Sequence, residues 1–504
     1  MINRLRRRLT TLKEERAAAL VWIAGSLVML LAFSALAVDL AWIYLNSSRL
    51  QNAADAAALA GVINLPGAPD VAQSDAEDAA QANGFPVGGA NTVTATPLSD
   101  NSLTTTLTTS VPTYFLKVLG FDSFDVTRRS TARYVKPVPL GSPSSCFGIG
   151  SLSTVPGCAI TAQQNFWAAI NGWYTAREHG DPYSPRCDWA SSPGNCTDSD
   201  NSSSSPWDTD TNPLNPQFRD DGYYYAVEIP SDKTSFTVQL YDPGFRAGGN
   251  PGDMANLTHS AGGGPTMHYQ LYDWDTTPLI PFDNPTVLCS STIAPNSLPS
   301  NTWINLCTIS GSPVDPGIYV LKVWVDGNGG GNNGYGLNVV TTGSGPDDAR
   351  LYGINDISIF TNQTATGNLT IAEVAQEHAG KILELSFYDP GEDDDDAFMT
   401  VKMPDGTSAN CSWIAKDFNG NTAATGGPGT CRIQTAEGSL PAASKSLFNG
   451  QWITATIDIP DAYTCSADCW WSMLIEHSSS STSHDRTTWA ARIIGNPVRL
   501  VPNP

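Results

Sequence analysis

Five consecutive carboxylates, Glu392-Asp393-Asp394-Asp395-Asp396, follow the turn Asp389-Pro390-Gly391 and form the densest run of ligand oxygen in the chain. Calcium takes about six to eight oxygens at about 2.4 Å, and a carboxylate-rich loop can supply several of them. The spacing matches no EF-hand, however. Neighbouring side chains on an extended strand point to opposite faces, so these acids and Asp389 cannot all converge on one ion. A solvated acidic turn is the preferred reading, with calcium as its alternative. A second loop, from Asp326 to Gly334, has the glycines and asparagines of a cation-binding turn but one carboxylate, and it reads as a hairpin. The chain has no HExxH, no GxSxG, no P-loop and no dinucleotide fingerprint. Glu377-His378 and His484-Asp485 are isolated pairs, so no catalytic residue is assigned. Tyr223-Tyr224-Tyr225, Trp274 and Trp470-Trp471 are of the type that stacks on sugar rings, but such side chains also fill sandwich cores, and core packing is preferred.

Ten cysteines fall as local pairs: Cys146/Cys158, Cys187/Cys196, Cys289/Cys307, Cys411/Cys431 and Cys465/Cys469. An even count at short spacings suits an oxidising compartment. Structural zinc is the competing reading, but no CxxC pair occurs and the six histidines are scattered. Disulfides are therefore expected, with Cys465/Cys469 the least certain pair.

The elements that must position these groups begin with a membrane segment. Ala17 to Val38 is a run of 22 residues without a charge, long enough to cross a bilayer as a helix. Residues 1–16 carry a net +4 and the remainder −26, out of a total of −22. Cations before the span and acids after it place the N-terminus in the cytoplasm by the positive-inside rule. A body that acidic is a poor general binder of DNA, RNA or anionic lipid. Ala35-Leu36-Ala37 would suit a signal-peptide cleavage site, but the apolar run is longer than a usual signal core and no helix breaker precedes it. The pattern continues as helix through Gly61, so a signal anchor leading into a stalk is expected.

The run AVDLAWIYLNSSRLQNAADAAALAG, from Ala37 to Gly61, with EERAAALVWIAG before it, closely resembles the N-terminal segment of TadE/TadG-like proteins of the Tad (Flp) pilus-assembly system. The matching residues include Asp39, Tyr44, Arg49 and the stretch Leu50 to Ala60. The resemblance is strong over about 50 residues and extends weakly to about residue 135, where strand, strand, short helix (Pro112 to Leu119) and strand are similar to the small α/β module of that family. It implies a membrane location with pilus-assembly proteins or pilins as partners. Two departures stand out. No Gly precedes Glu14 and Glu15 as in processed pilins, and Asp356-Ile357-Ser358-Ile359-Phe360 lacks the second serine of a D-x-S-x-S metal motif. Alanine and glycine faces allow close helix approach, which nominates Tyr44, Leu50, Asn52, Ala54, Asp55 and Ala58 for packing on a partner helix in the membrane. The alternative is that alanine simply promotes helix and that Asn52 and Asp55 face solvent.

Beyond residue 216 the chain repeats itself. FTVQLYDPG from Phe236 parallels LELSFYDPG from Leu383, and later landmarks recur in order: Cys289 and Cys411, Cys307 and Cys431, then GIYVLKVWV and GQWITATIDI. Alternation such as Phe236-Thr237-Val238-Gln239-Leu240 is the period-two pattern of half-buried strands. The expected fold is mainly β: a transmembrane helix (17–38) after a basic tail (1–16), a stalk helix and small α/β module (39–135), a disulfide-containing connector (136–216), and two antiparallel β-sandwiches (217–345 and 346–504). The expected function is a non-enzymatic, single-pass cell-membrane protein with an extracytoplasmic body, serving Tad pilus assembly and adhesion. Its alternatives are a surface-anchored module binding carbohydrate or another ligand, and, ranked lower, an envelope hydrolase. No cofactor is expected beyond the calcium alternative.

Overall fold

A computed structural model describes residues 2–65, 69–99, 102–134, 138–148, 165–173, 175–187, 214–242, 254–255, 265–274, 286–294, 302–311, 313–326, 331–345, 348–364, 367–391, 395–441, 444–465, 469–477, 482–494 and 498–501. They form two compact units, one of residues 1–135 with 497–504, the other of residues 136–496.

The first unit is built on α1 (Ile2–Gly61), a continuous helix that at 1.5 Å per residue is about 90 Å long. Its apolar stretch has a mean hydropathy of 2.3 and none of it is buried, which fits a single-pass membrane anchor. After a 3₁₀ turn (Val62–Asn64), α2 (Pro69–Ala82) opens on a proline, whose missing N–H is no loss in a first helical turn. Strands β1 (Asn91–Ser99), β2 (Ser102–Pro112) and β3 (Ser123–Tyr134) form an antiparallel sheet in the order β1-β2-β3. On β2 the inward side chains alternate: Leu103, Thr105, Leu107 and Val111 are buried. Their partners are the small residues of the two helices, with Leu50, Ala53, Ala54, Ala57, Ala76 and Ala80 in one cluster and Ala58, Val62 and Ala72 in the next.

The second unit is nearly all strand. Its first half contains β4 (Cys146–Phe147), β5 (Asn165–Asn171), β6 (Tyr223–Ile229), β7 (Lys233–Asp242), β8 (Met254–Ala255), β9 (Met267–Tyr272), β10 (Val287–Ile293), β11 (Thr302–Ser310), β12 (Gly317–Val325) and β13 (Gly331–Gly343). The second half contains β14 (Arg350–Gly353), β15 (Asp356–Thr364), β16 (Gly367–Glu373), β17 (Ile382–Tyr388), β18 (Ala397–Lys402), β19 (Asn410–Lys416), β20 (Thr422–Thr430), β21 (Arg432–Ala436), β22 (Trp452–Asp458), β23 (Trp470–His477) and β24 (Thr482–Ile494). A last strand, β25 (Val498–Val501), belongs to the first unit and pairs with β3.

Sheet order explains the repeat. One small sheet runs β10-β9-β12-β6-β14 and the other β21-β18-β23-β16, while one long sheet runs β11-β7-β13-β5-β15-β24-β17-β22-β19-β20. The first half thus sets five strands (β10-β9-β12-β6-β14) on four (β11-β7-β13-β5) and the second four (β21-β18-β23-β16) on six (β15-β24-β17-β22-β19-β20), and the long sheet joins the two where β5 pairs antiparallel with β15. No barrel closes. The sheet runs without a break across residue 345, and β5, from the segment read as connector, supplies one side of the join. One core serves both halves, including Phe236, Val238, Leu240, Leu383, Leu385 and Phe387. The topology also corrects the sequence alignment. GIYVLKVWV (β12) is equivalent to β23, not to GQWITATIDI (β22), which takes the place of β11. The β19–β20 hairpin is an addition to the second sandwich that the first lacks among the described residues. Local strand patterns look alike wherever strands alternate, so landmarks in sequence could not separate these neighbours.

Disulfides Cys289–Cys307, Cys411–Cys431 and Cys465–Cys469 are formed. Cys146 and Cys187 are also disulfide-bonded, and their expected partners Cys158 and Cys196 lie outside the described residues. Cys289–Cys307 staples β10 in a small sheet to β11 in the long sheet. Cys411–Cys431 does the same for the second sandwich with the order of the sheets reversed, from β19 in the long sheet to the start of β21. Sequence separations of 20 and 4 residues give about 3 kcal/mol for Cys411–Cys431 and about 2 kcal/mol for Cys465–Cys469 in the chain-entropy model. Urea unfolding of the two paired Cys→Ala variants should therefore show the larger loss of stability for the first pair.

Candidate functional site

The carboxylate of Asp39 lies one residue beyond the uncharged run and is buried. It accepts three consecutive backbone N–H groups from the β2–β3 loop: Tyr114 at 2.9 Å, Phe115 at 2.9 Å and Leu116 at 2.6 Å. These N–H groups stand at the start of a 3₁₀ turn (Leu116–Leu119) and have no partner within the turn itself. A carboxylate taken out of water is costly unless its oxygens are hydrogen-bonded, and three donors meet that need. The edge of the Trp42 ring system meets Tyr114, with ring centroids 5.7 Å apart. About two helical turns beyond Asp39, Arg128 donates to the hydroxyl of Ser47, and a turn further Gln51 bridges Asp55 at 2.8 Å to the Arg129 carbonyl at 3.2 Å. Asp39 thus ties the helix to the β2–β3 connection, and Ser47 and Gln51 tie it to the middle of β3.

The residues nominated for packing on a partner helix divide. Leu50, Ala54 and Ala58 are buried inside this unit's own core, where their small volume lets β2 and α2 approach. The Thr105 hydroxyl donates to the Ala54 carbonyl at 2.8 Å, and a Cβ on Gly61 would come within 2.5 Å of the Ala72 carbonyl oxygen. Tyr44, at 77% exposure, and Asn52 remain on the open face, and Asp55 is half-buried beside Gln51. The alanine pattern is legible in the sequence, but whether its partner is another chain or this one depends on α2, which has no strong apolar stripe of its own.

The acidic turn is described in part. Glu392, Asp393 and Asp394 lie outside the described residues. Asp389 accepts the Gly450 N–H at 2.8 Å and Asp396 accepts the Gly438 N–H at 2.9 Å, so these two carboxylates are used in joining loops. Gly391 has φ +101°, and a side chain there would strike Thr435. Among the described residues no group of three or more His, Cys, Asp or Glu is placed to hold a metal. Tyr223, Tyr224, Tyr225, Trp470 and Trp471 are buried, and Trp274 is half-buried against Gly317. Trp452 lines an open groove with Glu384, Ser386, Asn355 and Arg492, on the outer face of β22, β17 and β24. That groove measures about 390 Å³, and Arg492 pairs with Glu384 at 2.6 Å across it. A single tryptophan in a strand gives no sequence signal of this kind.

At the join of the two sandwiches sits a buried polar cluster that motif searching misses because its members are far apart in sequence. Arg219 grips Asp356 with both nitrogens at 3.0 and 2.8 Å and lies 3.4 Å over the Tyr183 ring. Asp181 accepts the Tyr223 hydroxyl at 2.7 Å and the Tyr183 N–H at 3.0 Å. The Thr488 hydroxyl donates to the Gly180 carbonyl at 2.9 Å, and Arg177 lies over the rings of Tyr388 and Phe418. Segment 175–187 is thus wedged between residues of both sandwiches. Burial pushes the Asp181 and Asp356 carboxyls up against the pull of Tyr223 and Arg219, and pushes the Tyr223 phenol well above its ordinary range. Burial, aided by the Arg486 cation, lowers the His179 imidazole to about 4. Such a network fixes the relation of two packed faces, and the Asp356 of the incomplete D-x-S-x-S match is engaged here by Arg219.

Comparison with known proteins bears on the first unit. Residues 17–81 match the family model described as "Putative Flp pilus-assembly TadE/G-like". Comparison with curated proteins finds no match. Among solved structures, the N-terminal CBM22-1-CBM22-2 tandem domain from Paenibacillus barcinonensis Xyn10C aligns at 14% identity over 54% of this chain and 80% of that one, with a TM-score of 0.13. A putative secreted protein from Parabacteroides distasonis ATCC 8503 aligns at 8% identity over 71% and 99%, with a TM-score of 0.12. Scores that low bear on neither fold nor function.

Two outcomes follow from the packing and the charges. Gly61→Ala improves helix propensity by about 1 kcal/mol, but its Cβ meets backbone, and overpacking of that kind costs about 1–3 kcal/mol. Thermal unfolding should show net destabilisation. For His179, the unfolded chain takes up its proton near 6.5 and the native chain near 4, so the native state binds fewer protons between those values. Stability should fall by up to about 3 kcal/mol as the pH drops through that window. The raised carboxyls of Asp181 and Asp356 act in the opposite sense, so the test is the difference between wild type and His179→Gln, in which this slope should vanish.

Proposed function

The chain is TadE/TadG-like over residues 17–81, and from that premise we propose that it is a non-enzymatic, membrane-anchored component or accessory of Tad/Flp pilus assembly. The observation that carries this reading is the position of the match. It covers the apolar span together with the small-residue helix that nucleates the first unit, so the matched segment is both the anchor and the scaffold of a folded module. The match over residues 17–81 supports a pilus-associated role and a membrane location. The finer reading is that α1 crosses the membrane once with residues 1–16 in the cytoplasm, and that the disulfide-bonded sandwiches stand outside. The cysteines support it, since a body stapled by disulfides is suited to a compartment without reducing thiols. The partner surface on α1 is the open face that carries Tyr44 and Asn52.

A second reading rests on the groove at Trp452. A half-buried aromatic flanked by a carboxylate, a guanidinium and a hydroxyl is of the chemistry that binds a sugar ring, and it supports a surface ligand-binding role for the second sandwich. The two readings are separable. A photo-crosslinker at Tyr44 in cells that assemble pili is expected to capture a pilus-assembly protein or pilin, whereas one at buried Ala54 is not. Absence of any protein product at Tyr44, with pili unchanged after deletion of the gene, would remove the assembly reading. Trp452→Ala should leave pili intact and abolish glycan retention only if the second reading also holds.

A further inference from the structure

The β2–β3 loop exposes more apolar surface than a water-facing turn requires. Within residues 114–124, Tyr114, Phe115, Val118, Leu119, Phe121 and Phe124 are 57%, 49%, 86%, 72%, 51% and 38% exposed. Single exposed apolar residues are ordinary, and elsewhere in the first unit Val71, Val87 and Leu98 are of that scattered kind. Six in eleven consecutive residues are not. Phe121 and Phe124 stack on one another with centroids 5.9 Å apart, and Lys117 and Asp122 pair loosely at 3.9 Å, so the loop's charges largely cancel.

The position of this loop identifies its occupant. Asp39 holds the N–H groups of Tyr114, Phe115 and Leu116 within 2.9 Å, and Asp39 is the first residue after the uncharged run. A span of 22 residues is about 33 Å long as a helix, which matches the hydrocarbon thickness of a bilayer, so Asp39 falls at the level where acyl chains give way to headgroups. On the span side of Asp39 the helix is exposed and apolar as well, with Phe33 at 70% and Val38 at 50% exposure. Trp42, set against Tyr114, adds an aromatic pair of the type that concentrates at membrane interfaces.

We propose that the β2–β3 loop docks in the lipid interface of the same bilayer that α1 crosses, as a second membrane contact of the first unit. The 3₁₀ turn presents Val118 and Leu119 to the acyl boundary, the aromatics lie at headgroup level, and Lys117 reaches back to water along its aliphatic stem. Two contacts at one level fix the tilt and rotation of the module on the membrane, which a lone helix cannot do. This inference rests on the membrane-anchor reading of α1.

The test uses the full chain in phosphatidylcholine liposomes. No described cysteine is free, so a single introduced thiol takes an environment-sensitive fluorophore. Three variants are compared: Val118→Cys in the loop, Thr96→Cys about 26 Å away along β2's partner strand, and Val28→Cys in the middle of the span. The quenchers are lipids brominated near the carbonyl or near the terminal methyl. The label at 118 is expected to shift to the blue and to lose most of its emission to the shallow bromine, the label at 28 to the deep one, and the label at 96 to neither. A label at 118 that behaves like the one at 96, while 28 is quenched, overturns the loop proposal and leaves the anchor standing, with a protein partner as the remaining occupant of the patch. A label at 28 that escapes quenching overturns both.

Discussion

One carboxylate connects the hydrophobic part of this chain to its folded part. Asp39 follows the last residue of the apolar run, and a charge at that point of a helix must find partners or stay in water. Its three N–H donors come from residues 75 to 77 positions away in sequence. Closing that distance brings β2 and β3 alongside α1, which in turn brings Leu50, Ala54 and Ala58 against the sheet and leaves room for α2 over Gly61. The alanine-rich helix is therefore less a free docking surface than the spine of a small domain. What it leaves open is one face and one apolar loop.

The second unit depends on a different constraint, the unpaired edge. Each sandwich has an edge strand next to its equivalent of β13 or β24, and an exposed edge is a template for pairing with any other chain. Here β5 and β15 satisfy one another, so two divergent copies make one long sheet instead of two aggregating ones. The join is held by polar groups that are costly to bury singly. Arg219 with Asp356, and Asp181 with Tyr223, are each satisfied only in this arrangement, which gives the pairing a unique register.

Much of this was legible in the residues, for physical reasons. A charge-free run of membrane length, period-two strands and locally paired cysteines are short-range signals, and they gave the long apolar helix, the β class and the three disulfides that the described residues form. Polar residues at fixed places within an alanine helix gave the family. Long-range relations were not legible. Asp39 reads as an ordinary helix residue until the β2–β3 loop is placed beside it. The equivalence of β12 with β23 is hidden because alternation is the same in all strands and the β19–β20 hairpin displaces the count. The edge pairing of β5 with β15 leaves no local mark, and the members of the buried cluster, from Arg177 to Thr488, are separated by most of the unit. Small residues identify close packing but not the partner, and Ala54 packs within this unit's own core.

The dependence of the module on Asp39 is open to a direct measurement by hydrogen–deuterium exchange on the full chain in detergent or lipid, comparing wild type with Asp39→Asn. Amides that donate to a buried carboxylate are protected, and an amide side chain offers one acceptor oxygen where the carboxylate has two. Peptides covering Tyr114 to Leu116 should exchange slowly in the wild type and much faster in the variant, with the second unit unchanged. Equal exchange in the two proteins would contradict the assignment of Asp39 as the group that holds the β2–β3 loop to α1.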